Sequence, residues 1–304
     1  MNPKADHLAS AMIFAAGRGE RLKPYTNFVA KPALPFLGQP MISYAHHWLK
    51  LTGVKQAVVN VHHRPETVLQ VLPLLGPAPE LKVSEEKDQL LGSGGGLKFA
   101  QEQGLFGQAS EGGSPPTQQI WLFNGDSVVL SPSAEKNLAE IWKQQLEQEA
   151  LATLLVTPHP RAGLDFGGVW LDSSNQVQHF GLKPQTGPGP LKAYHYSGIM
   201  LVSSEVFSLP LGENIIYDGL LPAIQSQGAK VLAHVEPQLL CLETGNLKDY
   251  CQSHKTALEI LNQPTHPLWP QLRALVSGPN QEGQSSSWPD PQQALEKAIE
   301  GLSA

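Results

Sequence analysis

Apolar positions change their period along this chain, and the changes separate strands from helices. The run Ala11, Met12, Ile13, Phe14, Ala15 has no polar interruption and enters a glycine-bearing turn, as a buried strand feeding a loop does. Met41, Ile42, Ala45, Trp48 and Leu49 recur at helical spacing, and Gly53 stands where a C-cap would close that helix. A valine-rich strand is predicted over Gln56 to Val61, then a helix opened by Pro65 at a first-turn position. Further predictions are a helix from Gly94 to Gln103 and a buried strand from Ile120 to Asn124, ending at Gly125. Leu138, Ile141, Trp142 and Leu146 mark an amphipathic helix, and Leu151 to Thr157 a further strand. Strands alternating with helices imply an α/β protein with a mostly parallel sheet covered by helices.

The second half changes character. Gly167 to Leu171 and Gln176 to Phe180 flank a polar turn at Asp172 to Asn175, which predicts a hairpin, and Ala193 to Val202 predicts another strand. A helix over about Asn214 to Gln227, a strand over Lys230 to Val235 and a helix over about Leu247 to Leu261 follow. Ala109 to Gln118 and Gln263 to Pro291 are expected to be irregular, and Gln292 to Leu302 to form a short terminal helix. The expected division is a main domain over residues 1–262 and a C-terminal extension over 263–304. No repeat of solenoid period is visible.

Composition narrows the chemistry. With 304 residues, 41% of them hydrophobic, the chain can bury a sizeable core. Its 21 Lys and Arg against 27 Asp and Glu leave a net charge of −6. Binding to nucleic acid or an acidic membrane needs a basic face, so any anion must be gripped locally. Cys241 and Cys251 make no disulfide framework and no zinc spacing. Met1 to Ser10 holds no apolar signal region, and no window approaches the roughly 18 apolar residues of a membrane span, so a cytoplasmic protein is expected. The adjacent pairs His46-His47 and His62-His63 point different ways on any helix or strand and do not chelate together.

The densest motif is Gly17-Arg18-Gly19-Glu20-Arg21-Leu22, followed by Pro24, Thr26 and Lys31-Pro32. Glycines after a buried strand let backbone N–H groups approach an anion, and Arg21 and Lys31 bring charge to a polyphosphate. A dinucleotide fingerprint would need a third glycine where Leu22 stands, and a Walker loop a Lys-Ser/Thr pair that this run lacks. A glycine turn with solvated cations is the structural alternative. Asn124-Gly125-Asp126 falls at the carboxyl end of a predicted strand, where open α/β sheets collect ligands and a carboxylate can hold Mg²⁺.

The run Ala15 to Leu22, with Pro24, Thr26, Lys31-Pro32, Pro35, Gly38 and Pro40, resembles the signature of the sugar-1-phosphate nucleotidylyltransferases. Its phrasing is most similar to the bacterial N-acetylmuramate 1-phosphate uridylyltransferase branch. The resemblance extends from about Ala11 to about Leu261 and implies a Rossmann-like, GT-A-like sheet with a smaller sugar-binding sub-region. It implies that Ala16, Gly17, Gly19, Glu20, Arg21 and Lys31 hold the nucleotide, and that Asp126 binds Mg²⁺. Asn124 would face the sugar. The family's second metal carboxylate sits in a tryptophan, aspartate, glycine, threonine motif; here the stretch is Cys241-Leu242-Glu243-Thr244-Gly245, so Glu243 carries that role on a longer arm. Glu86, Gly92 and Ser93 correspond to the base-recognition segment, which decides nothing between uracil, guanine and thymine. Asp165, Gly167, Gly168 and Lys183 correspond to the sugar-phosphate pocket, with Leu182 where many relatives carry a glutamate. The implied catalytic set is Arg21, Lys31, Asp126 and Lys183, with a nucleoside triphosphate and a sugar 1-phosphate as partners. Association into a homo-oligomer stays open. A guanylyltransferase for a mannose- or heptose-type sugar phosphate and a non-catalytic nucleotide-sugar regulatory protein are the alternatives; a dinucleotide-dependent oxidoreductase is disfavoured by Leu22.

Overall fold

The computed structural model describes residues 9–106, 118–182 and 190–277. Its strands are β1 (Ala9–Phe14), β2 (Pro35–Phe36), β3 (Gln39–Pro40), β4 (Gln56–Val61), β5 (Glu80–Glu85), β6 (Gln119–Asn124), β7 (Val128–Leu130), β8 (Ala152–Thr157), β9 (Gly168–Leu171), β10 (Val177–Gly181), β11 (Lys192–Ser203), β12 (Val231–Val235) and β13 (Leu240–Leu242). The helices are α1 (Ile42–Leu51), α2 (Pro65–Val71), α3 (Gly92–Glu102), α4 (Ala134–Glu147), α5 (Leu221–Gln227), α6 (Leu247–Leu261) and α7 (Trp269–Ser277).

β1 lies at the centre of the main sheet, parallel to β4 on one side and to β6 on the other, and β5 continues in parallel beyond β4. On the far side of β6 runs β11, antiparallel to it and to β8, which β12 joins in parallel. The long β11 also pairs through Lys192 to Tyr194 with β9, so the β9–β10 hairpin forms a smaller sub-region off the main sheet. The Asp172 carboxylate ties that hairpin's turn by accepting from the backbone N–H groups of Ser174 and Gln176. The mixed, mostly parallel sheet predicted from the alternation is therefore present.

Helices cover both faces, which is why the central strands read as unbroken apolar runs. Met12, Val58 and Leu122 pack with Leu97 and Ala100 of α3 and Ala223 of α5. Ile13, Val59 and Phe123 pack on the opposite face with Trp48 of α1, Val68 of α2 and Leu138 of α4. The indole of Trp48 is buried and donates to the Val129 carbonyl at 2.9 Å, satisfying the one polar atom it carries inside.

Besides short strands such as β7 and β13, longer segments depart from the sequence expectation. Residues 269–277, placed in an irregular stretch, are helical: Pro270 occupies the first turn, where its missing N–H costs nothing. Leu272 is buried in a third core with Tyr44, Val128 and Ala257, and Gln271 Oε1 accepts from Ser131 N at 2.8 Å. The helix expected over Asn214 to Gln227 is divided: Ile215–Leu220 is a π turn and α5 begins at Leu221, because Pro222 cannot donate to the preceding turn. β5 was not signalled, because Glu-Leu-Lys-Val-Ser-Glu has no apolar run and forms an edge strand. The irregular segment expected over Ala109 to Gln118 falls, except for Gln118, outside the described residues, as does the predicted terminal helix Gln292 to Leu302.

His46 and His47 on α1 are both pushed down to about 4, chiefly by burial and next by Lys50. A folded-state value below the unfolded one, about 6.5, means that protons bind the unfolded chain preferentially between the two. The stability from keeping these rings neutral is complete above about pH 6.5 and is lost as pH falls toward about 4. Urea midpoints should accordingly drop between pH 7 and 4.5, and His46→Leu should flatten that drop.

Candidate active site

The turn after β1 is built around Gly19. Its φ is +62°, and a β-carbon there would lie 2.8 Å from Thr26 Cγ2 and 3.1 Å from Lys31 Cβ. Thr26 Oγ1 donates to the Gly19 carbonyl at 3.0 Å, drawing Lys31 beneath the turn. Lys31 is 9% exposed, and its Nζ meets Asp126 Oδ2 at 2.7 Å. Gly125 N donates to the Phe14 carbonyl at 2.9 Å, so the ends of β1 and β6 are tied where Asp126 emerges. Glu20 instead turns to the surface and pairs with Lys23, which holds its carboxyl below the usual range. The Arg21 guanidinium lies across the backbone of Gly245, 3.3 Å from where a β-carbon would stand.

Phe14, Asn60 and Asn124, the carboxyl ends of β1, β4 and β6, open into a cavity of about 320 Å³. β1 is the switch point of the sheet, since one neighbour is β4 and the other β6. Ala16, Gly17 and Gly19 line one wall, Gly92 and Ser93 another, with Lys31, Asn124 and Asp126 between. The Gly-rich run after Leu91 is the first turn of α3 rather than a loose loop. Its glycines let that turn sit against backbone: a β-carbon on Gly94 would come within 2.5 Å of the Gly212 carbonyl oxygen. Ser93 Oγ accepts from Ile215 N at 3.1 Å. Glu86 is 2% exposed and faces inward, accepting from Asn60 Nδ2 at 2.7 Å and from Leu91 N at 2.9 Å.

The second acidic position is set by the β7–β13 ribbon, whose register pairs Leu242 with Val128. Two residues on, Thr244 Oγ1 donates to the Asp126 carbonyl at 2.9 Å, so Glu243 follows β13 into the neighbourhood of Asp126. Glu243 Oε1 faces His195 Nε2 at 3.3 Å, and His195 is pushed down by burial against the upward pull of Glu243. Phe166 stands edge-on to His195, with ring centroids 5.3 Å apart. Asp165 is exposed, 3.9 Å from Arg161 Nε, and does not line the cavity. Gly167 and Gly168 pack in the β9 sub-region beside Tyr217 and Gly163. Lys183 lies outside the described residues.

A family model described as Nucleotidyl transferase matches residues 10–260. The chain belongs to the nucleotidyl transferase family. It is 27% identical over 262 residues to the UTP–glucose-1-phosphate uridylyltransferase of Synechocystis sp., covering 82% of this chain and 63% of that one. Over 232 residues it is 27% identical to the N-acetylmuramate alpha-1-phosphate uridylyltransferase of Caulobacter vibrioides, covering 72% of this chain and 88% of that one. Similarity to mannose-1-phosphate guanylyltransferase 1 of Arabidopsis thaliana is 28% over 176 residues, or 58% and 45% of the two chains. The chain thus spans less than two thirds of the Synechocystis and Arabidopsis relatives.

Asp126 offers in its carboxylate the oxygen chemistry that a hard divalent cation takes. Its side chain is 38% exposed in the cavity, and among the described residues only Oδ2 is taken by a protein donor. Mg²⁺ needs few protein oxygens, since water and phosphate supply the rest. No group of three His, Cys, Asp or Glu side chains is placed to hold a metal among the described residues. No helix among the described residues is long and apolar enough to cross a membrane. Residues that the sequence reading passed over include Asn60 and His195. Asn60 had a visible signal: an amide inside a run of valines must be hydrogen-bonded if buried.

Proposed function

We propose that this chain is a Mg²⁺-dependent sugar-1-phosphate nucleotidylyltransferase of the cytoplasm, converting UTP and N-acetylmuramate 1-phosphate to a nucleotide sugar and pyrophosphate. The observation that carries this reading is the buried Lys31 ammonium held against Asp126 below a glycine turn, at the switch point of the sheet. The choice of UTP and of the muramate sugar is supported by the Caulobacter relative, of which the chain spans 88%.

An oxygen of the sugar phosphate would attack the α-phosphorus in line; the new phosphoanhydride bond forms as the bond to pyrophosphate breaks. The nucleophile is already anionic, so no general base is needed, and the barrier is repulsion between anions. Lys31 and Arg21 offset that charge, the N–H groups of the Gly17–Gly19 turn bind phosphate oxygens, and Asn124 orients the sugar side. Asp126, together with Glu243, the neighbour of the Thr244 whose hydroxyl bonds the Asp126 carbonyl, would hold Mg²⁺, which when bound neutralises phosphate oxygens. Lys183, with the Asp165 to Gly168 segment, would hold the sugar phosphate.

Pyrophosphate release measured with a panel of triphosphates and sugar 1-phosphates tests the assignment. Release with UTP and the muramate sugar supports it, and release only with GTP and mannose 1-phosphate favours the second reading, to which the Arabidopsis relative lends weight. Binding without turnover for every pair would make the chain a regulatory protein. Arg21→Ala should lower kcat/KM by about 10²-fold and leave thermal unfolding unchanged, since the guanidinium is exposed beside Gly245. A collapse of the melting transition would instead make Arg21 structural.

A further inference from the structure

Asn60 joins the two walls of the cavity. It lies near the end of β4, 2% exposed, in a strand whose other residues after Gln56 are valine and alanine. Its Oδ1 accepts from Ala15 N at 2.8 Å, at the first residue of the phosphate turn. Its Nδ2 donates to Glu86 Oε1 at 2.7 Å, and the other oxygen of Glu86 accepts from Leu91 N at 2.9 Å, at the threshold of α3. A planar amide and a carboxylate therefore connect the backbone that would grip phosphates to the backbone that would read a base. The chemistry of each group is specified. An aspartate in place of Asn60 has no donor and would confront Glu86, a serine is too short for both partners, and a valine would leave Ala15 N and Glu86 Oε1 without the partners that Asn60 gives them. α3 is seated on the same pair, since a β-carbon on Gly96 would lie 2.6 Å from Glu86 Oε1 and 2.8 Å from Asn60 Nδ2.

We propose that Asn60 and Glu86 form a strut that fixes the separation of the phosphate turn and the base-facing turn, and that this separation sets the discrimination between nucleobases. Both are positioning residues that act through Ala15 and Leu91. The inference rests on the transferase reading above. A base edge is read only if its donors and acceptors meet fixed backbone groups while the triphosphate is held, so a strut that slackens costs selectivity before it costs phosphate affinity.

Isothermal titration of the full chain with UTP, GTP, dTTP, CTP, ATP and tripolyphosphate, beside thermal melts, tests this. Asn60→Ala and the isosteric Glu86→Gln are both used, because the first leaves a small void and the second does not. In whichever variant keeps a cooperative melt, the affinity ratio between the best and worst nucleoside triphosphate should shrink by about tenfold or more, with tripolyphosphate affinity nearly unchanged. A merely structural role would lower the melting temperature and leave the ratio intact. A wild type that discriminates while a folded variant keeps its ratio overturns the inference alone. A wild type that binds none of the five nucleotides overturns the transferase reading, and the strut's role with it.

Discussion

Asp126→Asn is expected to cut nucleotide-sugar formation by on the order of 10³-fold while leaving the protein folded. The amide has the shape of the carboxylate, and its oxygen can still accept from Lys31 Nζ, which stands 2.7 Å from Oδ2. What disappears is the negative charge, and with it the hold on a divalent cation that the proposed reaction assigns to Asp126. The fold should survive, because the amide oxygen keeps a hydrogen bond to the buried Lys31 ammonium, although losing the charge beside that ammonium should lower the melting temperature. Initial rates of pyrophosphate release with saturating triphosphate, run beside a thermal melt, separate the two effects. Turnover near that of the wild type would remove Asp126 from the mechanism; a lost melting transition would make the Lys31 pair a structural element. Affinity for the metal-free triphosphate should not fall, since the neutral amide no longer repels it.

The strands at the centre were legible because both of their faces are buried. Ala11 to Phe14 and Ile120 to Phe123 offer no polar position, and their register, Met12 beside Leu122 and Val58, brings three such runs together. Edges and ribbons were not legible. β5 exposes one face, and β7 and β13 are three residues each, too short for any period to register. The site was legible where one local turn carries it, as with Gly17 to Lys31. It was not legible where partners are remote: Lys31 and Asp126 stand 95 residues apart, and nothing local to either announces an ion pair. Glu86 was singled out as a base contact, but its burial and its bond to Asn60 come from the parallel pairing of β4 with β5, which the sequence pattern left unpredicted. Glu243 illustrates a third case. Its motif was visible, whereas its partner His195 comes from β11, where a shift in register between Tyr196 and Met200 interrupts the pairing with β8.

Glycines at the two ends of the cavity should respond oppositely to alanine. At Gly92, φ is +73° and an added β-carbon would fall 2.0 Å from the Glu213 carbonyl oxygen and 2.7 Å from its carbon. Those atoms are backbone, and the same carbonyl accepts from Gly94 N, so the obstacle cannot rotate away without opening the start of α3. A left-handed conformation costs a non-glycine residue about 1 to 2 kcal/mol, and overpacking adds about 1 to 3 more, so Gly92→Ala should lose on the order of 3 kcal/mol of stability. Gly17 is exposed, and a β-carbon there would meet nothing within 4 Å. Its lack of a side chain has no explanation in packing, but an anion approaching the N–H groups of the turn would need that space. Gly17→Ala should therefore melt like the wild type and bind the triphosphate about tenfold or more weakly. Urea denaturation of both variants, with titration of the folded one, reads out the contrast. Equal stability in the two would show that the approach of α3 to Glu213 is slack, and unchanged affinity in Gly17→Ala would place the phosphates away from this turn.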